Sequence, residues 1–526
     1  MIIRRKQPRP LGLDEPLRHE SHRRPVTRRD FLAQGFVTGS ATIIAPTLLG
    51  LLASNRARAA LSSDIQALTS PANCNIQNGA GKVPFIAIDL AGGANIAGSN
   101  VYVGQDGNQM NFLSTAGYSK LGLPGSMIPA TSTPGAFIDT SMGIAFHSDS
   151  AFLRGMQMRM SPEAMARVNG VIIAARSEND TQNNPHNPMY GIARAGARGS
   201  LVGLIGSQSS DSGGNSMSPA AMINAELRPT KVDRPTDATG LVDTGQLGTL
   251  LPSKADTVSV MESIARVSEF KLGRVSTGLP TSPVDEDAAA EKLVRCSYVK
   301  TAYQAENFGT VDVVNPRSTN DVLVGASTPA SIFTTAEVTA EREFDKITSI
   351  AKLVVEGFAG AGTASMGGYD YHTGERATGE MRDLRAGQCM GACLEYAHRK
   401  GKPLMLYVFS DGSLSSNGAI DNSVGGRGKG QWTGDNQSTA ASLILVYNPT
   451  GRPTVRRNQI GSYSAAGDVI NSSSPAANAV NLLVETVILN YMALHGEEGN
   501  FQTLFPTTGL STAQMDMVLA LTRITP

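Results

Sequence analysis

Cysteine is scarce in this chain, with four among 526 residues. Cys74, Cys296, Cys389 and Cys393 are too few to staple a protein of this size, so the fold has to rest on a hydrophobic core. Cys389 and Cys393 stand four apart on a predicted helix, where they share a face but a bond between them would be strained. With neither a CxxC nor a matching histidine, all four read as buried thiols and not as metal or redox groups. The chain also lacks G-x-S-x-G and Walker A motifs, and Gly92-Gly93 marks a tight turn without being a dinucleotide fingerprint. Aromatic residues make up only 5% and charged residues 17%, and no basic stripe is interleaved with aromatics. Beyond residue 59 no apolar run is long enough to span a bilayer, so the remainder is expected to be soluble.

A formal net charge of zero hides an asymmetry. Residues 1–59 hold eleven Lys/Arg and four Asp/Glu, which leaves 34 of the 45 basic and 41 of the 45 acidic side chains, net −7, for the rest. A mildly acidic body repels phosphate backbones, and nucleic acid is therefore not an expected partner. The basic start leads into Thr27-Arg28-Arg29-Asp30-Phe31-Leu32, which resembles the twin-arginine export pattern S/T-R-R-x-F-L. A weakly apolar run from Phe36 to Ala53 follows, diluted by Gly39, Pro46 and Gly50, and ends in Ala57-Arg58-Ala59. The expectation is a signal peptide over 1–59 carrying Arg28 and Arg29 and cleaved after Ala59. That resemblance implies the twin-arginine translocase as a partner during export and a periplasmic or otherwise exported location in a bacterium. No transmembrane segment is expected to remain after cleavage.

Residues 60–526 read as one α/β domain. Short apolar runs bounded by turns, Pro84 to Leu90, Gly170 to Ala175, Pro403 to Phe409 and Ser442 to Tyr447, have the form of buried parallel strands. Helical patterns alternate with them: Asp149 to Met160, Pro162 to Val168, Thr257 to Phe270, Asp287 to Glu306, Ala336 to Phe358, Arg376 to Lys400 and Ala476 to His495. The alternation predicts a mainly parallel central sheet with helices on both faces. Polar loops at Ser207 to Pro219 and Gly273 to Asp285 flank an expected helical and loop insertion at about 200–345. A Gly/Ser/Asn-rich loop over Gly412 to Thr439 follows a core strand directly. Ligands of open α/β sheets bind beyond the carboxyl ends of strands, so this loop is expected to border a site.

Polar residues at those strand ends are the candidates. Asp89 and Asn95 follow the first strand, Arg176, Ser177, Asp180 and His186 the second, and Ser410-Asp411 end LMLYVFSD. Asp370-x-His372 is the sharpest pair, since two residues spaced by two in an extended segment point to one side and can share a metal ion. His398 and His495 lie near helix ends and read as caps, and His147 reads as structural.

Together, IDLAGGANIAGSN, GIAFHSDSAFLRGM, NNPHNPMYGIARAG, MGGYDYHTGERATGEMRDL, LYVFSDGSLSSNG and the loop reaching TGDNQ resemble the family of domain of unknown function 1501, in the alkaline phosphatase/sulfatase-like superfamily. These pieces span about residues 84–440. The resemblance implies an alkaline-phosphatase-like fold, a divalent metal ion held by Asp370, His372 and Asp411, with Asp89, His186 and Asp435 as weaker candidates, and a small phosphate or sulfate ester as substrate. Where the family has G-G-x-D this chain has Asn95, where it has S-H-F it has Pro185-His186-Asn187, and where it has D-H-G it has Asp435-Asn436-Gln437. The family's S-E-F-G-R becomes Ser410-Asp411-Gly412 without the arginine. An amide or a proline supplies neither a nucleophile nor a charged ligand. Two functions from different classes follow as expectations: a metal-dependent ester hydrolase with an altered site, or a non-catalytic periplasmic or envelope binding or structural protein.

Overall fold

Alternation of side chains along each strand divides this chain's apolar residues between two cores. The computed structural model describes residues 61–70, 73–74, 76, 81–129, 135–177, 184–243, 251, 253–272, 274, 286–308 and 311–525. The twin-arginine segment with Arg28 and Arg29, the cleavage expected after Ala59, and Asp180 lie outside them. Eight strands form the central sheet: β1 (Phe85–Gly93), β2 (Val168–Ala174), β3 (Val202–Gly206), β4 (Thr230–Lys231), β5 (Ala359–Asp370), β6 (Leu404–Ser410), β7 (Ala441–Tyr447) and β8 (Gln459–Ile460). Their spatial order is β8-β2-β7-β6-β1-β5-β3-β4. Only β7 runs against its neighbours, β6 and β2, while the other pairings are parallel. The protein is an α/β fold, as the alternation of patterns predicts.

On one face Ile86, Ile88 and Leu90 of β1 join Leu406 and Val408 of β6 and Leu443 and Leu445 of β7. There they meet helices α1 (Ala151–Gln157), α3 (Arg342–Val355) and α4 (Arg376–Lys400). The residues between them, Phe85, Ala87, Met405, Tyr407, Phe409, Ile444 and Val446, face the other way onto α2 (Met189–Arg194) and α5 (Val480–Ala493). Each fully buried aliphatic side chain contributes roughly 1.5–3 kcal/mol, and a one-residue register slip would exchange the two cores.

Four strands of the sheet, β3, β4, β5 and β8, went unseen in the apolar pattern. β5, AGAGTASMGGYD, is the longest strand but is built of small residues, and the helix expected over Ala336 to Phe358 runs up to it. In its place Thr335–Ala340 and α3 form two helices, broken at Glu341. Smallness has a reason here: a Cβ on Gly362 would lie 2.8 Å from Ile350 and 2.9 Å from Val354 of α3. β3 and β4 likewise fall inside the span expected as an insertion from about 200, and α3 lies in the core, so 200–345 is not one inserted block. The separate part is narrower. Described residues of 61–68 and 247–306 form one compact unit, and those of 69–246 and 307–525 form the other. In the smaller unit, helices Ser63–Leu68, Lys254–Leu272 and Glu286–Asn307 are tied by Arg266 to Asp64 at 2.7 Å and by the Leu61 amide donating to Glu306 at 2.9 Å.

The cysteines divide as well. Cys389 and Cys393 are free and buried on α4, as read from the sequence, but Cys74 and Cys296 are disulfide-bonded and not buried thiols. Among the described residues no helix is long and apolar enough to cross a membrane.

Glycine also sets the approach of α1 to α4. A Cβ on Gly387 would stand 2.3 Å from the Phe152 carbonyl oxygen, and one on Gly155 2.2 Å from that of Leu384. Alanine is better than glycine in a helix by about 1 kcal/mol, whereas overpacking against backbone costs about 1–3 kcal/mol. Gly387→Ala is expected to lose stability on balance, read as a lower urea midpoint at unchanged slope; a midpoint equal to or above wild type would show that the helices can separate freely.

Candidate metal centre

The antiparallel direction of β7 decides which residues share the rim. β6 ends at Ser410 on the edge where β1 and β5 end, with Leu90 opposite Ser410 and Gly93 opposite Asp370. β7 starts on that same edge, where Ala441 pairs with Ala174 at the end of β2. Residues 411–440 therefore leave and return at one rim. Near their end Gly434–Asp435 pairs antiparallel with Leu414–Ser415, and the Asn436 amide donates to the Ser413 carbonyl at 2.9 Å.

This brings Asp370, His372 and Asp435 together, with one ligand atom from each within 4.8 Å of the others. His372 Nε2 lies 3.0 Å from Asp370 Oδ1 and 3.8 Å from Asp435 Oδ2. Ligand atoms about 2.1 Å from a common ion stand about 3.0 Å apart at a right angle and about 3.4 Å apart at the tetrahedral angle. The group is thus able to hold a metal ion, given a small rotation of the exposed Asp435. Asp370 and Asp435 are 52% and 57% exposed and His372 30%, so a fourth position would face water.

Both arms of the triad are anchored. Between the outward Asp370 and His372, Tyr371 points inward, fully buried, and donates to Asp383 at 2.7 Å. Asn100 also donates to Asp383, at 2.8 Å, and burial pushes that carboxyl up to about 7. The other arm is held by Trp432, whose carbonyl accepts from the Gly374 amide at 2.7 Å and whose ring lies 4.7 Å from the Arg376 guanidinium. Arg376 bonds to Glu380 at 2.6 Å, and the fully buried Lys429 reaches the same carboxylate at 2.8 Å.

The structure places Asp411 elsewhere. It is fully buried and accepts from the Gly92 amide at 2.8 Å and from Asn215 Nδ2 at 2.9 Å. Asp89, also fully buried, accepts from the amides of Asn215 and Ser216 at 2.7 and 2.9 Å and from the Ser216 hydroxyl at 3.2 Å. Burial pushes the Asp89 carboxyl up, against those hydrogen bonds. Asn215 thus bridges two carboxylates that the sequence offered as metal ligands. Its polar loop is folded onto the sheet, and Gly214 is required there because a Cβ would meet Asp89 at 2.8 Å. Asn215 and Ser216 were missed; the available signal was their position in a polar loop after a strand.

His186 is not a member of the triad either. It is buried, lies 3.0 Å from the Ser177 hydroxyl through Nε2, and stacks on Phe409 at 5.8 Å. Asn95 is buried and accepts from the Ser99 hydroxyl at 2.8 Å. Two more of the described histidines have structural partners: His147 meets the Met127 carbonyl at 2.9 Å and His398 meets the Tyr447 hydroxyl at 2.9 Å. His495 does not act as a cationic cap, because burial pulls its imidazole down to about 4 and leaves it neutral.

Burial holds His186 and His147 down to about 4 as well. In the unfolded chain these groups protonate near 6.5, so the stability of the neutral buried forms is complete above that pH and is lost as pH falls from 6.5 through 4. His186→Gln is expected to flatten the acid limb of a urea-midpoint-derived stability curve by about one proton, ~1.4 kcal/mol per pH unit between pH 4.5 and 6. Parallel wild-type and variant curves over that window would contradict it.

A scan against protein-family models finds no match to this chain, and a search of curated proteins finds none either.

Proposed function

We propose that this protein is an exported metal-dependent hydrolase of a phosphate or sulfate ester, with the fold of the alkaline phosphatase/sulfatase-like superfamily and its metal on Asp370, His372 and Asp435. The observation that carries the reading is the convergence of one imidazole and two carboxylates from two separate chain segments at the carboxyl rim of the sheet. Nitrogen and oxygen donors of this kind suit zinc or a similar divalent ion, and three protein ligands with a solvent-facing side are the pattern of a site that keeps a position for water or substrate. A divalent ion there would supply Lewis acidity and lower the pKa of a bound water. Asp370 and Asp435 would balance its charge, and Tyr371 and Trp432 would hold the two arms in place from beneath.

A second reading, a non-catalytic periplasmic or envelope binding protein, is favoured by one observation. Asp89 and Asp411, the other carboxylates of the rim, are occupied by hydrogen bonds from Asn215 and Ser216 of the same chain.

Trp432 is the chain's single tryptophan and stands three residues from Asp435, so its fluorescence is a direct reporter of the site. Purified after native export, the protein is expected to retain about one divalent ion by elemental analysis, to change its emission on zinc titration, and to melt lower after chelation. Asp370→Ala and His372→Ala should each weaken the metal at least about tenfold, the scale on which even the partners behind a ligand matter, and abolish turnover in an ester-substrate screen. Metal-free protein whose melting ignores chelators would defeat the metal reading, and metal binding without turnover of any ester would select the binding protein.

A further inference from the structure

We infer that Asn215 limits this rim to one metal ion, because its side-chain amide and the backbone amides of Asn215 and Ser216 stand where a cation would have to meet Asp411 and Asp89. The alkaline-phosphatase-like resemblance implies both carboxylates as ligands, and the donors around them do not fit that role. The metal reading enters only through the one ion left to the outer triad.

A carboxylate able to take a cation turns its oxygen lone pairs to open space or water, not to hydrogens. Asp411 does the reverse: Oδ1 accepts from the Gly92 amide at 2.8 Å and Oδ2 from Asn215 Nδ2 at 2.9 Å. An ion about 2.1–2.4 Å from Oδ2 along that line would collide with the amide hydrogens. On Asp89, Oδ2 accepts from the amides of Asn215 and Ser216 and Oδ1 from the Ser216 hydroxyl. Turning the Asn215 amide to present its oxygen would change one of these contacts and leave Asp89 held by the backbone.

Nor is the loop loose enough to withdraw. The Ser210 hydroxyl donates to the Gly214 carbonyl and the Ser212 hydroxyl to the Ser216 carbonyl, each at 2.6 Å. Asn187 Nδ2 reaches the Ser212 carbonyl at 3.2 Å and the Thr363 hydroxyl at 3.0 Å, which ties the loop to β5. A Cβ on Gly206 would stand 2.2 Å from the Gly213 Cα, so the loop backbone packs on the end of β3. Pulling Asn215 out would strand buried donors and acceptors on both sides.

Asparagine and aspartate share a shape, so a single substitution reverses the sign of the contact. In Asn215→Asp, a carboxylate oxygen would replace the donor now 2.9 Å from Asp411 Oδ2, close to the spacing of two ligand atoms on one ion. Hard divalent ions accept such oxygen sets.

Manganese(II) titration of the full chain, with bound ions counted by electron paramagnetic resonance, is the test. Wild type is expected to bind about one ion, lost in His372→Ala and kept in Asp411→Asn. Asn215→Asp is expected to bind a second ion at least about tenfold more tightly than wild type takes any second ion, and to keep it in the His372→Ala background. Should metal-free Asn215→Asp not fold, its melting with manganese replaces the count, and a rise larger than that of wild type is the expected result. A second wild-type ion that Asp411→Asn abolishes, or an Asn215→Asp variant with the wild-type count and melting shift, overturns the inference. Wild type without any ion would defeat the metal reading instead, and an ion gained by Asn215→Asp would in that case still support the role of Asn215.

Discussion

Strand β7 runs against β6 and β2, and this reversal fixes where the loop over 411–440 is able to go. A parallel continuation would have carried the chain across the sheet to the opposite edge. The antiparallel pairing sends it out and back at the rim where β1 and β5 end, and Asp435 is thereby delivered to Asp370 and His372. Without that reversal the triad would have only the two members that neighbour each other in sequence. The hydrogen-bond ladder from Leu404↔Tyr447 to Val408↔Leu443 is therefore a condition of the site as well as of the core.

Much of this was legible in the residues. The apolar runs that become β1, β2, β6 and β7 stand out because they are buried on both faces, and α4 matches its expected span of Arg376 to Lys400. Asp370-x-His372 was readable because a period of two is local. Asp435 was a weaker candidate, since its partner lies more than sixty positions away and only the topology joins them. β5 was hidden by its own packing: glycine and alanine at its start allow α3 and the neighbouring backbone to come close, and the same substitution of small for apolar residues erases the strand signal. Asp411 illustrates the opposite error. Its position after a core strand marks it correctly as a rim residue, but which partner it takes depends on a loop from another strand end, and Asn215 arrives first.

The two carboxylate groups of the rim differ in solvent exposure, and that difference sorts their roles. Asp89 and Asp411 have no access to water, so each carboxylate needs hydrogen bonds from the chain, and Asp89 is shifted toward its neutral form by burial. Asp370 and Asp435 are more than half exposed, where solvent lowers the cost of their charge. A cation arriving at the outer group exchanges water for ligands. One arriving at the inner group would first have to displace Asn215 and the amides of a folded loop, which costs far more. Occupancy of the outer group is the easier process on these grounds, and the inner group serves to bind the 207–219 loop to the sheet.

Exposure would have its own cost were the triad to take up an ion, because exposed side chains lose entropy when they gather. The two anchors reduce it. Tyr371 lies between Asp370 and His372 and is locked by Asp383, so the strand end that carries both ligands has little freedom to twist. On the opposite arm Trp432 is sealed against Arg376, and Gly122 has to be glycine because a Cβ would come within 2.6 Å of the indole. Arg376 in turn shares Glu380 with Lys429, both cations being out of water. Such a buried ionic group is a poor source of net stability, since desolvation offsets most of its attraction. Removing one member is nonetheless costly, because it strands the others, so the arrangement resists rearrangement. Such an ionic core, of modest net energy but costly to rearrange, would suit an exposed triad able to take up an ion, and here it is joined through Trp432 and Gly374 to the turn that carries His372 and the loop that carries Asp435.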